Sequence, residues 1–314
     1  MTAATPAQNL APQAGPSRKR KRTRAPYVLI LPAVAVLLVG MAYPTLWQLV
    51  TSFKKYGLAQ QFGKPAEFVG FNNYLELLRD HSFWGVVGRS LAFCFVTAAV
   101  TLVIGFGLAL LMKVVSTWSR LALQISMLLA WAMPVVAAMT VWTWLFDRRR
   151  GVINYLLDSI PGLHFYRHDW LENPLSFFFV AMVIVVWMSV PFVVFSIYAG
   201  LLQIPDEVME AAAIDGSAGF QRLRLVVLPM IRPVVAIVLL LQVIWDLRVF
   251  TQITMLQDAG ASGERFDLLG TYIFKIGTGA QDFGTASAAS VIVLLITVAV
   301  SWWYVRHLLK EDES

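Results

Sequence analysis

The sequence predicts an all-α, polytopic membrane protein with six transmembrane helices, and three observations carry that expectation. Hydrophobic residues make up 58% of the 314 positions and charged residues only 14%, with a mean hydropathy of +0.66. That leaves too little polar surface to coat a soluble globule of this length. Apolar runs long enough to cross a hydrocarbon core, which takes about 20 residues, recur along the chain between polar intervals. The single cysteine, Cys94, lies inside one of those runs, so neither a disulfide framework nor a cysteine metal cluster is expected. The formal charge of +6 would suit a nucleic-acid partner, but its location argues against one.

Residues 1–25 form the first region, a basic tail expected to be disordered. It opens Pro/Ala/Gln-rich and then packs Arg18, Lys19, Arg20, Lys21, Arg22 and Arg24 just ahead of the first apolar run. A nuclear-localisation-like patch or a contact with anionic lipid are alternatives. A topogenic cluster fits best, because basic residues close to a membrane segment hold that end in the cytoplasm. The first span is then 27–50, too long an apolar run for a signal-peptide core and with no small-residue cleavage site after it. Pro32 and Pro44 are expected to bend it.

Residues 54–81 are polar and placed outside, with aromatic anchors suited to an interface. The second span is 89–112, with Gly105 and Gly107 expected to permit close helix contact. The third is 121–146, carrying Pro134 near its middle, and its tryptophans read first as packing or interface residues. Residues 147–174 return outside, where Arg148, Arg149 and Arg150 run against the charge rule. His164 and His168 have i,i+4 spacing but no carboxylate partner geometry, so no metal site is expected. The fourth span is 177–202, the fifth 226–250 and the sixth 286–304, after which Arg306, His307 and Lys310 lead to an acidic tip at 311–314.

Between the fourth and fifth spans lies IPDEVMEAAAIDGSAGFQRLRLVVLPMIRP, residues 204–233. Pro205 ahead of Asp206 and Glu207 suits a helix first turn, where negative charge meets the positive end of the dipole. Asp215 and Gly216 should end that helix, glycine supplying a left-handed residue, and a second short run over 220–227 should end before Pro229. Ala211, Ala212 and Ala213 would let a partner approach closely, with Glu210 as a charged anchor. On these grounds alone an ordinary capped hairpin serves as well.

Glu210-Ala211-Ala212, Asp215-Gly216 and Leu228-Pro229 with Pro233 resemble the EAA loop of binding-protein-dependent ABC importer permeases. Ser217-Ala218 stands where that family more often has Ala-Ser. The resemblance implies that 204–229 is a coupling loop seated in a cleft of a cytoplasmic ATPase, within a six-helix permease domain over 26–310 of the type I importer fold. Four preceding crossings place the loop on the cytoplasmic side independently, and the six put both termini there. Phe68-Val69-Gly70-Phe71-Asn72-Asn73-Tyr74 looks like the signature after the first span of carbohydrate-type permeases, and Asp282-Phe283-Gly284-Thr285-Ala286 like the entry to their last span.

For a substrate site, polar groups inside a span are costly and point to function. Gln242, Trp245, Asp246 and Arg248 cluster in the fifth span, Gln242 and Asp246 sharing a face. Indole faces and hydrogen-bonding groups suit a sugar, although an internal Asp246–Arg248 ion pair explains the charges equally well. The resemblance adds Trp187, Met188, Ser189 and Phe192 from Trp187-Met188-Ser189-Val190-Pro191-Phe192, matching a maltose-type (MalF-like) run where sugar contacts fall. Ser189 replaces the usual glycine and Phe192 a phenol. The runs WAMPVV, WMSVPF and WDLRVFTQ look most like oligosaccharide or amino-sugar members, chitobiose-like ligands among them.

The chain contains no Gly-x-x-x-x-Gly-Lys-Ser/Thr run, so it is expected to carry no cofactor itself, with ATP and Mg on a separate ATPase subunit. One coupling loop for two ATPases implies a homologous second permease subunit, and an extracellular sugar-binding lipoprotein would deliver substrate. An ion-coupled secondary transporter of a small polar solute is the alternative, but it calls for inverted repeats and several buried carboxylates. An intramembrane enzyme would need a catalytic constellation inside the spans, and none is evident.

Overall fold

The computed structural model describes the backbone of residues 25–311 and the side-chain surroundings of 29–306. The basic cluster from Arg18 to Arg24 and the tip beyond Glu311 lie outside the described residues. The described residues divide into two units, one ending at Trp47 and the other beginning at Gln48.

The first unit holds α1 (Ala25–Leu37), a π turn at Leu38–Ala42 and the first five residues of α2 (Tyr43–Thr51). The amide of Tyr43 reaches back five residues to the Leu38 carbonyl. Pro44 comes immediately after. A proline has no N–H to give and its ring crowds the carbonyl four residues earlier, and the wide turn absorbs that misfit so the helix continues.

The second unit begins with a small folded loop. Strands β1 (Lys54–Lys55) and β2 (Glu67–Phe68) pair antiparallel around the short α3 (Leu58–Gln61). Asn73, in α4 (Asn72–Arg79), is buried and donates to the carbonyls of Ser52 and Lys54, at 2.8 and 3.0 Å. Tyr74 and Ser52 share a 2.6 Å hydroxyl bond, and Phe53 lies edge-on to Phe71 at 5.3 Å. The Phe68–Tyr74 run thus stitches α4 to the chain that leaves the first span.

From there α5 (His81–Val114) crosses, capped by Asp80, whose carboxylate accepts from the Ser82 amide. The predicted third span is not one helix. It is α6 (Thr117–Ala132) and α7 (Val135–Leu145), meeting at 102°. The cause is Pro134: the residue before a proline is driven to extended geometry, and Met133 adopts φ −69°, ψ 128°. Among the described residues five helices are therefore long and apolar enough to cross a membrane, or six with the bent pair as one span.

After the short α8 (Val152–Asp158), α9 (Pro174–Leu201) forms the centre of this unit, with α5, α6, α12 and α13 packed on it. Phe177, Val180, Ile184, Val193 and Ile197 on α9 are each fully buried, as a helix apolar all round requires. A β-carbon built on Gly105 would lie 2.5 Å from Val193, so α5 and α9 touch backbone to side chain there. Gly107, expected to help, has nothing within 4 Å.

Beyond α9 come α10 (Asp206–Ile214) and α11 (Gly219–Arg222), which runs without a break through a π turn at Leu223–Val227 into α12 (Leu228–Asp246). The expected stop before Pro229 does not occur. The Leu228 amide reaches back to the Leu223 carbonyl, the same device as at Pro44. The chain closes with α13 (Thr251–Asp258), a 3-10 turn at Glu264–Phe266, α14 (Leu269–Phe274), a π turn at Lys275–Gly279 and α15 (Phe283–Glu311). At the start of α15, Asp282 caps the Thr285 amide, and a β-carbon on Gly284 would strike the Lys54 carbonyl.

Candidate functional site: an exposed hairpin joined to a membrane groove

The hairpin is built from the cap outward. Asp206 and Glu207 occupy the first turn of α10, and Asp215 closes it. Gly216 comes next with φ +80°, the left-handed conformation the sequence requires there, and Gly219 is left-handed too. Ala212 is buried at 7% exposure, as is Ile204, while Met209 packs against the buried cluster that contains Ile197, Leu201, Ile204 and Val227. On the outer face Glu210, Ala211, Asp215 and Gly216 are exposed, flanked by Ile214 at 86% and Phe220 at 75% exposure. Two large apolar side chains in the open, beside a carboxylate and small residues, make a surface shaped for a partner. Lys113, at the end of α5, donates to the Leu201 carbonyl at 3.2 Å and ties α5 to the base of the hairpin.

The residues proposed for substrate divide into three groups. Phe192 on α9 lies edge-on to Trp245 on α12, with ring centroids 4.9 Å apart, and Met188, one turn earlier, accepts a hydrogen bond from Gln252 of α13 at 3.7 Å. Phe192 and Met188 are half-buried, as is Ser189, and Trp245 is 45% exposed. These side chains form a half-exposed strip of rings, thioether and amide, a candidate groove, along α9, α12 and α13. Gln252 was not singled out from the sequence, although it ends the run WDLRVFTQ that was; a break after Asp246 hid its alignment with the groove.

Trp187 points elsewhere. It meets Trp142 of α7 edge-on at 5.6 Å, in a cavity of about 480 Å³ between α5, α6, α7 and α9. Val100, Met127, Ala130 and Pro191 line it with the two indoles, and Ser126 supplies the one hydroxyl among the lining residues.

Gln242 and Asp246 form the third group, buried at 1% and 2% exposure. The Gln242 amide donates to Asp246 Oδ1 at 2.9 Å, while Asp246 Oδ2 and Gln242 Oε1 have no hydrogen-bond partner. The internal ion pair considered for Asp246 is not formed: Arg248 is exposed just past the end of α12, its amide accepted by the Trp245 carbonyl at 3.0 Å. Two residues beyond Asp246 on a helical path is a turn of about 200°, which sends the two side chains apart. Beside this pair Cys94 donates its thiol to the Val243 carbonyl at 3.3 Å.

With this geometry in view, comparison with known proteins places residues 101–308 in a match to the family described as "Binding-protein-dependent transport system inner membrane component". The chain is 37% identical to the diacetylchitobiose uptake system permease protein DasB of Streptomyces coelicolor, over 96% of this chain and 92% of that one. It is 30% identical to the trehalose/maltose transport system permease protein MalF of Thermococcus litoralis, over 92% and 95%. Among solved structures it is similar to a chain of a bacterial ABC transporter involved in import of the acidic polysaccharide alginate. There the TM-score is 0.77 and the identity 22%, covering 93% of this chain and 96% of that chain.

Proposed function

Because the chain belongs to the family of binding-protein-dependent transport system inner membrane components, we propose that it forms one half of the translocation pathway of an ATP-driven oligosaccharide importer. The observation that carries this reading is mechanical. From Gly219, in the exposed hairpin, the helix runs unbroken to Asp246, beside Trp245 and Phe192. At about 1.5 Å per residue that is a rod of about 40 Å. A push on Glu210, Ile214 or Phe220 is thereby delivered to the groove.

In this reading α10 and α11 face the cytosol and insert into a separate ATPase subunit, which holds ATP and Mg. Glu210, Ala211, Ala212, Asp215 and Gly216 make the coupling surface, Ala212 from beneath. A homologous second permease supplies the other half of the pathway and the other coupling loop. An extracellular binding lipoprotein brings the sugar to the opposite face, and both termini are cytoplasmic in a multi-pass arrangement across the cytoplasmic membrane. ATPase closure biases the outward and inward states, and the sugar responds through its different affinity for each. The aromatic groove of Phe192 and Trp245, with Met188, Ser189 and Gln252 beside it, supplies the stacking faces and polar groups a pyranose needs. Arg248 stands exposed at its rim, Gln242 and Asp246 support it from within α12, and Trp187 holds α9 against α7.

The relatives named for diacetylchitobiose and for trehalose/maltose support an oligosaccharide as the substrate class, and family membership leaves the ion-coupled alternative without support. The test is uptake in cells lacking this chain. Labelled diacetylchitobiose, maltose or trehalose should enter only when the chain and an ATP-hydrolysing partner are both restored. Uptake that persists with a hydrolysis-dead ATPase, or that tracks an imposed ion gradient, would defeat the reading.

A further inference from the structure

Two cavities follow one another along the seam between α5 and α9. The first, of about 420 Å³, lies between Phe93, Val96 and Thr97 of α5 and Leu175, Phe178 and Phe179 of α9, and Arg89 is part of its lining. The second is the space of about 480 Å³ that holds Trp142 and Trp187, to which α5 contributes Val100, Ile104 and Leu108. Met182 lines both, so together they make one trough. On α5 its wall steps from Arg89 to Phe93, Val96, Val100, Ile104 and Leu108, by threes and fours, which is a single stripe of a helix. At about 1.5 Å per residue that stripe is about 28 Å long, close to the roughly 30 Å of a hydrocarbon core.

The chemistry of the trough changes at one end. Arg89 is the one charged residue among those lining the two cavities, and it stands at the first position of the second predicted span, away from the hairpin. It is half-buried and held in place, Nε donating to the Asp267 carbonyl at 3.3 Å and Nη2 to the Glu264 carbonyl at 2.9 Å. Carbonyls do not neutralise it, and among the described residues no carboxylate forms an ion pair with it. Along the rest of the trough the side-chain nitrogens and oxygens are the hydroxyls of Thr97 and Ser126 and two indole N–H groups, and Ser126 is spent on the Ala122 carbonyl at 2.6 Å. That is too few for a sugar, whose hydroxyls each need a partner. The trough opens sideways, where Val96, Ile104, Leu175 and Phe179 are between 43% and 83% exposed.

Interiors pack at crystal density, so an apolar trough open toward hydrocarbon is a filled one, and its dimensions select the occupant. A helix with its side chains is about 10–12 Å across, so about 28 Å of one fills more than about 2,000 Å³, over twice the two cavities together. An extended hydrocarbon chain is narrow enough. We propose that the trough is a phospholipid site, with an acyl chain lying along Phe93, Val96 and Met182 and the phosphate on Arg89. One leaflet contributes about 15 Å of hydrocarbon, which carries the chain from Arg89 to the level of Val100, where the cavity of Trp142 and Trp187 begins. A charge-assisted contact fixes the head, and burial of apolar surface holds the chain. None of the trough's lining belongs to the strip of Phe192 and Trp245, and the site does not depend on the importer reading.

The experiment takes the assembled complex from membranes and counts, by native mass spectrometry, the phospholipids that survive detergent exchange. One should remain per copy of this chain. Arg89→Gln should weaken its retention at least about tenfold, the loss expected for one hydrogen-bonded charge, and Arg89→Lys should keep most of it. V100W/V183W fills the second cavity and should shed the lipid while the complex stays assembled. Inorganic phosphate should not displace it, because the chain carries much of the binding. A cryo-electron microscopy map of the complex in nanodiscs should show a tube of chain density along Phe93 and Met182, a readout that needs no variant. Displacement by inorganic phosphate would show an anion site without a chain. A helix of another subunit filling the trough would show a protein interface, and full retention in both Arg89→Gln and V100W/V183W would show lipid held elsewhere. Each of these three results overturns the lipid site and leaves the importer reading to its own uptake test.

Discussion

The amide and the hydroxyl of Ser217 both donate to the carbonyl oxygen of Ala212, at 3.0 and 2.7 Å. With the Gly216 amide reaching the Ala213 carbonyl at 3.1 Å, this is a Schellman closure with glycine in the left-handed position. The Arg222 guanidinium then grips the Ser217 carbonyl through two nitrogens, at 3.1 and 2.9 Å. Helix α10 is thus locked to the start of the long α11–α12 rod, and the outward residues cannot yield when a partner presses on them.

Gly216→Val should uncouple transport. A β-branched residue at φ +80° costs about 1–2 kcal/mol in that conformation alone, and the cap relaxes instead. Glu210→Lys should abolish uptake by reversing an exposed charge, with the permease still in the membrane. Uptake assays paired with co-purification of the ATPase separate the cases. Normal uptake in both variants would remove the hairpin from the coupling role.

Gly105→Val should prevent α5 from seating on α9, because the new side chain would overlap Val193, and overpacking of this sort costs about 1–3 kcal/mol. Val193→Ala should restore much of the loss in the double variant, since the two residues share one contact. Thermal stability of the purified permease reports both, and Gly107→Val serves as the comparison, having open space around it.

Much of this was legible in the sequence for a plain reason: bilayer thickness sets the length of an apolar run, and the cap chemistry of Pro205, Asp215 and Gly216 is local. Proline was the less readable signal. Pro134 breaks a span at 102°, whereas Pro229 leaves its helix intact because a π turn precedes it, and residue identity does not distinguish the two. The groove was half legible. Helical spacing put Gln242 and Asp246 on one face, but which face opens depends on neighbours distant in sequence, and here α5 covers that one, through Cys94 and Val243.

Lys275 should be needed for folding, not for coupling. Its ammonium lies 2.7 Å from Asp267, which is 1% exposed and also accepts from Gln257 at 2.9 Å. Lys275→Met leaves that carboxylate buried with one neutral donor, and because the Lys275 side chain is half exposed the expected cost is about 1–3 kcal/mol. Asp267→Asn in the same chain should recover part of the loss by removing the charge. Detergent-solubilised melting temperatures check it, and equal stability of single and double variants would show that the carboxylate finds other partners.

Phe192→Ala and Trp245→Ala should each lower the rate of sugar uptake, and the double variant should be little worse than either, because each ring is placed by the other across 4.9 Å. Aromatic pairs contribute about 0.5–1.5 kcal/mol beyond burial, so assembly should survive and the loss should fall on transport. Trp245→Phe keeps a stacking face and should retain most of the rate. Arg248→Ala should impair uptake without loosening the ATPase, since Arg248 forms no pair with Asp246 and stands exposed at the groove's edge. Binding-protein-stimulated ATPase separates the effects: stimulation that persists while uptake falls assigns these residues to the sugar, and a parallel fall in both assigns them to holding α9 on α12. An unaffected uptake rate in Arg248→Ala together with full activity in Phe192→Ala would move the substrate out of this groove, toward the cavity of Trp142 and Trp187.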